Sequence, residues 1–193
     1  VPLSDEGRAQ ARALGERLRG EHIAAVYASP LQRAASTAEI VSHGWNLKPQ
    51  LVDGLREIGH GRWEGRRRRD VEQEFRSEFA MWEQDPFTFA PEGAESGASV
   101  LARALPAIRA ILEAHHGEPV LVVSHKATIR LILCGLLGID ARGYRDRLDQ
   151  APACLNVIDF LDPVRARLVL FNDTSHYLSC PPAAHPHLSK WFG

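Results

Sequence analysis

Three polar residues in this chain stand where chemistry can be done. His125 ends the run Val120-Leu-Val-Val-Ser-His125. A helical pattern follows it directly, with Ile129, Leu131, Ile132, Leu133, Leu136 and Leu137 apolar and Gly138 placed to close the helix. Arg33 ends Ser29-Pro-Leu-Gln-Arg33, just after the compact strand pattern from Ile23 to Ala28. Ser29 is expected to cap the next helix, with Pro30 in its first position and Arg33 about one turn in. Glu57 lies in Leu51 to Ile58, an expected extended segment, just before glycines at 59, 61 and 65. A histidine and an arginine at helix starts, beside unpaired N–H groups and the positive end of a helix dipole, can make a seat for an anion. A carboxyl group in a partly buried loop can give and take a proton. Each residue alone also has a plainer reading: a polar strand end for His125, a solvated helix arginine for Arg33, a surface carboxylate for Glu57.

The elements around these residues have to bring them together. The periodicities give helix, strand, helix, extended segment, helix, helix, strand, helix and two strands, which predicts an α/β fold with three α/β/α layers. The central sheet should be mostly parallel, with an antiparallel pair near one edge from Ala153 to Phe160 and Ala166 to Phe171. If the first two strands are parallel, Arg33 and His125 share one carboxyl edge of the sheet. Ser4 is placed to cap the opening helix, whose apolar face needs a preceding strand to belong to a βαβ unit. A further helix should run from Arg66 to Glu83 with Val71, Phe75, Phe79 and Trp82 as its core stripe. Ala141 to Leu148 reads as a short polar helix.

Composition removes several functions. The 193 residues suit a single domain, 1–193, and are 45% apolar and 24% charged. With 23 basic against 24 acidic residues, the net charge of -1 gives no general attraction to nucleic acid or to a membrane surface. Arg66 to Arg69 form a basic run, but it lacks interleaved aromatics and reads better as the start of a solvated helix. Cys134, Cys154 and Cys180 are odd in number and widely spaced, as expected of reduced thiols in a cytoplasmic protein. His185 and His187 have no acidic or cysteine companion at ligand spacing, so no metal is expected there.

The motifs, taken in order, resemble one family. Leu3-Ser-x-x-Gly7 before an alanine-rich helix, Ser29-Pro-Leu-x-Arg-Ala34 followed by Thr37-Ala38, and Leu55-x-Glu-Ile-x-x-Gly61 come first. Glu95-Ser96, Ser124-His125 and Asn172-Asp-Thr-Ser-His176 complete the set. Together they resemble the histidine phosphatase superfamily, also called phosphoglycerate mutase-like, over nearly the whole chain. The resemblance implies a metal-independent phosphatase acting through a phosphohistidine on a small phosphorylated substrate, with no cofactor. It implies that Arg33 is the second phosphate-binding arginine, His125 the second histidine that holds the phosphoryl group, and Glu57 the general acid. In one branch an aspartate directly after the second histidine is the acid. Here that residue is Lys126, which leaves Glu57 in the role. Lys126 itself could contact the substrate or point to solvent. The segment 59–97 is expected to line the entrance as a loop and helix insertion.

One departure is large. The family's nucleophilic histidine and first arginine lie in an Arg-His-Gly motif at the end of a first strand, and this sequence starts after that point. His22, His43, His60 and His176 stand in the wrong places to replace the nucleophile. The missing strand lies in the middle of the family's sheet, so an upstream segment is expected to supply both strand and nucleophile, and the chain as it stands is expected to be inactive. The alternatives are a mutase-type phosphoryl transfer, which usually comes with longer insertions, and a non-catalytic phosphate-binding relative. An exposed edge in the Ala153 to Phe171 hairpin could also pair two copies into a homodimer.

Overall fold

The computed structural model describes residues 2–178, so Cys180, His185 and His187 lie outside the described residues. The chain opens on α1 (Asp5–Arg17), capped as expected. The Ser4 hydroxyl accepts from the Gly7 N–H at 3.1 Å, and Asp5 and Glu6 sit in the first turn, where the helix dipole favours negative charge. β1 (Ala25–Ala28) is shorter than its apolar run because Pro119, near the start of its partner strand, has no N–H with which to extend the ladder. α2 covers Gln32–Val41 and α5 Gly97–Ala114, the latter capped by Ser96, whose hydroxyl accepts from the Ser99 N–H at 3.1 Å. β3 (Val120–Val123) leads into α6 (Lys126–Leu137), which Gly138 closes at a φ of 67° as its position predicts.

β1 is flanked by β2 (Gln50–Leu51) and β3, both parallel to it, in the order β2-β1-β3. Alternation along the strands sorts the two faces. Ala25, Tyr27, Val120 and Val122 pack on α5 and α6 residues including Ala104, Ile108, Ile111 and Ile132. Val26, Ala28, Leu121 and Val123 turn to the other face, with Ala38 of α2, and Leu121 also meets Ala11, Leu14 and Leu18 at α1. These are the expected three layers. β4 (Leu155–Phe160) and β5 (Ala166–Asp173) pair antiparallel as expected, but among the described residues they form a sheet of their own. α1 covers Leu155 of β4 as well as Leu121 of β3, and α6 residues pack on Ile158, Leu168 and Phe171 of the hairpin. Helices therefore straddle the interval between β3 and β4 on both faces, while among the described residues no strand pairs across it.

Four local expectations are corrected. Of the Leu51 to Ile58 segment only Leu51 lies in a strand, β2, and a 3-10 turn over Asp53–Leu55 follows. Gly54 lets that turn lie against α5, where a Cβ would come within 2.8 Å of both the Arg103 carbonyl oxygen and the Ala107 Cβ. Ser29 does not cap α2: the cap residue is Leu31, the helix starts at Gln32, and Arg33 is in its first turn. The helix expected from Arg66 to Glu83 is two, α3 (Arg68–Glu74) and α4 (Arg76–Gln84), broken at Phe75. The break lets Phe75 and Phe79 both pack on Trp63, at ring separations of 6.4 and 6.1 Å, so the predicted stripe is a real core even though the helix is interrupted. The short polar helix is a 3-10 turn over Ala141–Gly143 leading into α7 (Tyr144–Arg147), with Tyr144 buried. No helix among the described residues is long and apolar enough to cross a membrane.

Candidate active site

Parallel pairing decides what meets at the carboxyl edge. Ala28 is level with Val123, so Ser29 and the Ser124-His125 pair leave the sheet side by side. Ser29 is fully buried, and its hydroxyl lies 2.7 Å from His125 Nε2. The same oxygen accepts from the Leu31 N–H at 3.2 Å. With its oxygen so engaged, the Ser29 O–H is best satisfied by donating to Nε2, which leaves the ring proton on Nδ1. His125 is itself buried, at 6% exposure. Burial, reinforced by the nearby charges of Arg33 and Arg103 and opposed by Glu57, pushes its pKa down to about 4. The imidazole is therefore neutral at neutral pH, held between two cations and one carboxylate.

His125 occupies the N-cap position of α6, but its side chain caps nothing. Glu57, from a distant segment, does this instead. Its Oε1 accepts from the Ile58 N–H at 3.0 Å and from the Thr128 N–H at 3.2 Å. Among the described residues its Oε2 accepts only from the Ala127 N–H, at 3.3 Å. An acidic side chain on the first amides of a helix is stabilised by the orphan N–H groups and by the dipole. The carboxyl is thereby fixed within one turn of His125, with Oε2 the less engaged oxygen. Arg33 is half-buried, and among the described residues no carboxylate pairs with its guanidinium. Arg33, Glu57 and His125 are thus brought together. Lys126 is adjacent in the chain but exposed, its ammonium 3.1 Å from Asp149, which also accepts from Arg130 at 3.2 Å.

Sequence reasoning missed three contributors. Ser29 read as a helix cap, although its place at the tip of the strand next to His125 was available from the two parallel junctions. Thr128 and Arg103 gave no signal, because their partners in the segment from Gly54 to Glu57 lie 46 to 72 residues away in sequence. The basic run is tied up: Arg66 pairs with Glu74, Arg67 and Arg69 with Asp70, and Arg68 with Glu83. It leaves no unpaired patch for a polyanion.

With this geometry, likeness to known proteins becomes informative. The model of the histidine phosphatase superfamily (branch 1) matches residues 1–174. Phosphoserine phosphatase 1 of Hydrogenobacter thermophilus is 35% identical over 138 residues, which are 72% of this chain and 65% of that protein. The chain thus spans just under two thirds of that relative. The adenosylcobalamin/alpha-ribazole phosphatase of Escherichia coli is 32% identical over 160 residues, 82% of this chain and 78% of its own. The solved structure of Bacillus stearothermophilus YhfR superimposes with a TM-score of 0.85 at 31% identity, covering 91% of this chain and 86% of that one. The match of the family model along nearly the whole described chain, on a fold that brings the motif residues to one sheet edge, means that this chain belongs to the histidine phosphatase superfamily.

Proposed function

We propose that the protein is a phosphomonoesterase that hydrolyses a small-molecule phosphate ester through a phosphohistidine. The observation that carries this reading is the buried His125 at the start of α6, with the Glu57 carboxylate on the next amides and the charge of Arg33 near enough to act on the ring. Phosphoryl transfer asks for little else beyond a nucleophile in line with phosphorus. Arg33 offers a planar fork to two phosphoryl oxygens, and His125 donates to a third without a charge of its own. A histidine in an Arg-His-Gly segment before Val1 attacks phosphorus as the ester P–O bond breaks, and the Glu57 carboxyl gives its proton to the departing alkoxide oxygen. The resulting carboxylate then takes a proton from water, whose oxygen attacks the phosphohistidine and releases inorganic phosphate.

A strand carrying that segment fits the unpaired interval between β3 and β4. The relatives' names, phosphoserine phosphatase and adenosylcobalamin/alpha-ribazole phosphatase, fit phosphate esters of alcohols, whose alkoxide leaving groups depend on protonation. The insertion from Gly59 to Gly97 lines the entrance. Lys126 reaches the substrate from the rim by leaving Asp149. The reduced thiols Cys134 and Cys154 fit a cytoplasmic protein, and Val169, exposed on β5, fits a homodimer joined through the hairpin. A panel of alkyl phosphates tests the reading, using protein extended upstream of Val1. Glu57→Gln should lower kcat/KM by about 100-fold or more, within the usual range for a lost general acid. Equal turnover by the variant removes Glu57 from the role, and no release of phosphate by the parent removes the activity.

A further inference from the structure

Arg103, on α5, acts on His125 only through its charge, and it engages every donor it has with other groups. Its Nε donates to Glu95 Oε1 at 2.7 Å and one Nη2 hydrogen to Glu95 Oε2 at 2.9 Å. Nη1 donates to the carbonyls of Gly54 and Arg56, both at 2.9 Å, and Nη2 also to the carbonyl of Glu57 at 3.2 Å. An arginine has five N–H donors, and here all five are used. Glu95 closes the loop from its other side, accepting the Gly59 N–H at 3.0 Å through Oε2 while its own N–H donates to the Gly59 carbonyl at 2.8 Å. Both side chains are largely buried, at 18% and 27% exposure.

The segment so gripped is the one that carries Glu57. After Leu51 no ladder continues among the described residues; the carbonyls of Val52 and Asp53 accept from the Leu55 and Arg56 N–H groups, and those that follow are satisfied by side chains. Four consecutive ones are: Gly54 by Arg103, Leu55 by the Ser124 hydroxyl at 2.8 Å, Arg56 by Arg103 and the Thr128 hydroxyl at 2.7 Å, and Glu57 by Arg103. Arg103 serves three of the four, and among the described residues it is the side chain that donates to the carbonyl of Glu57 itself. We propose that Arg103, locked onto Glu95, is the positioning residue that sets where the Glu57 carboxyl stands relative to the leaving oxygen. The inference rests on Glu57 being the general acid. A lysine cannot substitute, because a point ammonium with three donors cannot span two carboxylate oxygens and three carbonyls.

A merely structural arginine would weaken turnover of all substrates together. A positioning residue for an acid has a different signature, since an aryl ester such as 4-nitrophenyl phosphate leaves without needing a proton and an alkyl ester does not. The test compares kcat/KM, which reports the first phosphoryl transfer, for both ester types in the parent, Arg103→Lys, Glu95→Gln and Glu57→Gln, all in protein extended upstream of Val1. Arg103→Lys should lower the alkyl value by about tenfold or more and the aryl value by less than about threefold, with inhibition by inorganic phosphate unchanged. Glu95→Gln, which keeps the shape of the clamp, should show the same selectivity in milder form. If both variants lower alkyl and aryl turnover alike, or neither lowers the alkyl value while Glu57→Gln does, the inference is overturned. If Glu57→Gln leaves alkyl turnover intact, the acid assignment has failed first.

Discussion

The buried ring of His125 makes the protein's stability depend on pH in a predictable direction. Its pKa stands at about 4 in the folded state, against 6.5 for an ordinary histidine. Unfolded chains therefore take up a proton at this position as pH falls from 6.5 toward 4, while folded chains do not. Stability is present in full above 6.5 and declines through that window, by roughly 3 kcal/mol if the whole depression is counted. Carboxylates held low, such as Glu95 beside Arg103 and Asp85 beside Thr88, add a loss in the same direction at the acid end, so a control is needed. In urea unfolding at pH 7 and pH 4.5, the parent should lose roughly 2 kcal/mol more than His125→Asn. Parallel losses in the two proteins would show that the ring is not held neutral by burial.

At the scale of elements, the active loop depends on how closely it approaches α5. Gly54 turns the chain with an ordinary backbone, so its freedom of φ is not the reason for it; the missing Cβ is. Gly54→Ala brings a methyl group to 2.8 Å from the Arg103 carbonyl oxygen and the Ala107 Cβ, and backbone must give way. Overpacking of this kind costs about 1 to 3 kcal/mol. Because the displaced turn also carries the carbonyls that Arg103 binds, the variant should show a lower melting temperature together with the alkyl-selective loss expected of Arg103→Lys. A fall in melting temperature with unchanged alkyl turnover would separate the packing of the turn from the placement of Glu57.

Such contacts mark the line between what the sequence reveals and what it conceals. β3 and α6 were legible because one β-branched run, one periodic helix and one closing glycine agree. The positions of Arg33 and His125 just past strand ends followed from local pattern, whereas the roles expected of them and of Glu57 came from the family resemblance alone. The clamp from Arg103 and the cap from Glu57 onto α6 were not, since each joins segments far apart in the chain and depends on three-dimensional approach. Phe75 misled for the opposite reason: its spacing fits a continuous helix, but tertiary packing on Trp63 favours a break.

At the scale of the whole molecule, one edge of β3 is left without a ladder among the described residues. In the β1-β3 ladder the Ala24 N–H meets the Pro119 carbonyl and the Ser29 N–H meets the Val123 carbonyl. Alternate residues of β3 thus face β1, and by the same alternation the N–H and C=O groups of Val120 and Val122 point to the opposite edge, toward the β4-β5 hairpin. β3 is half-exposed along its length while β1 is buried throughout, although both are apolar strands under the same helices. A buried backbone group without a partner costs about 1 to 3 kcal/mol, so an additional strand pairing with β3 stabilises the sheet substantially. Hydrogen exchange separates the two situations by residue. In the 193-residue chain alone, the amides of Val120 and Val122 should exchange far faster than those of Leu121 and Val123, which bond to β1. In protein extended upstream of Val1 all four should be protected to a similar degree, because a strand inserted between β3 and β4 accepts from the outward pair. If the outward amides stay fast in the extended protein, no strand fills the interval, and the nucleophile must be sought elsewhere than at its tip.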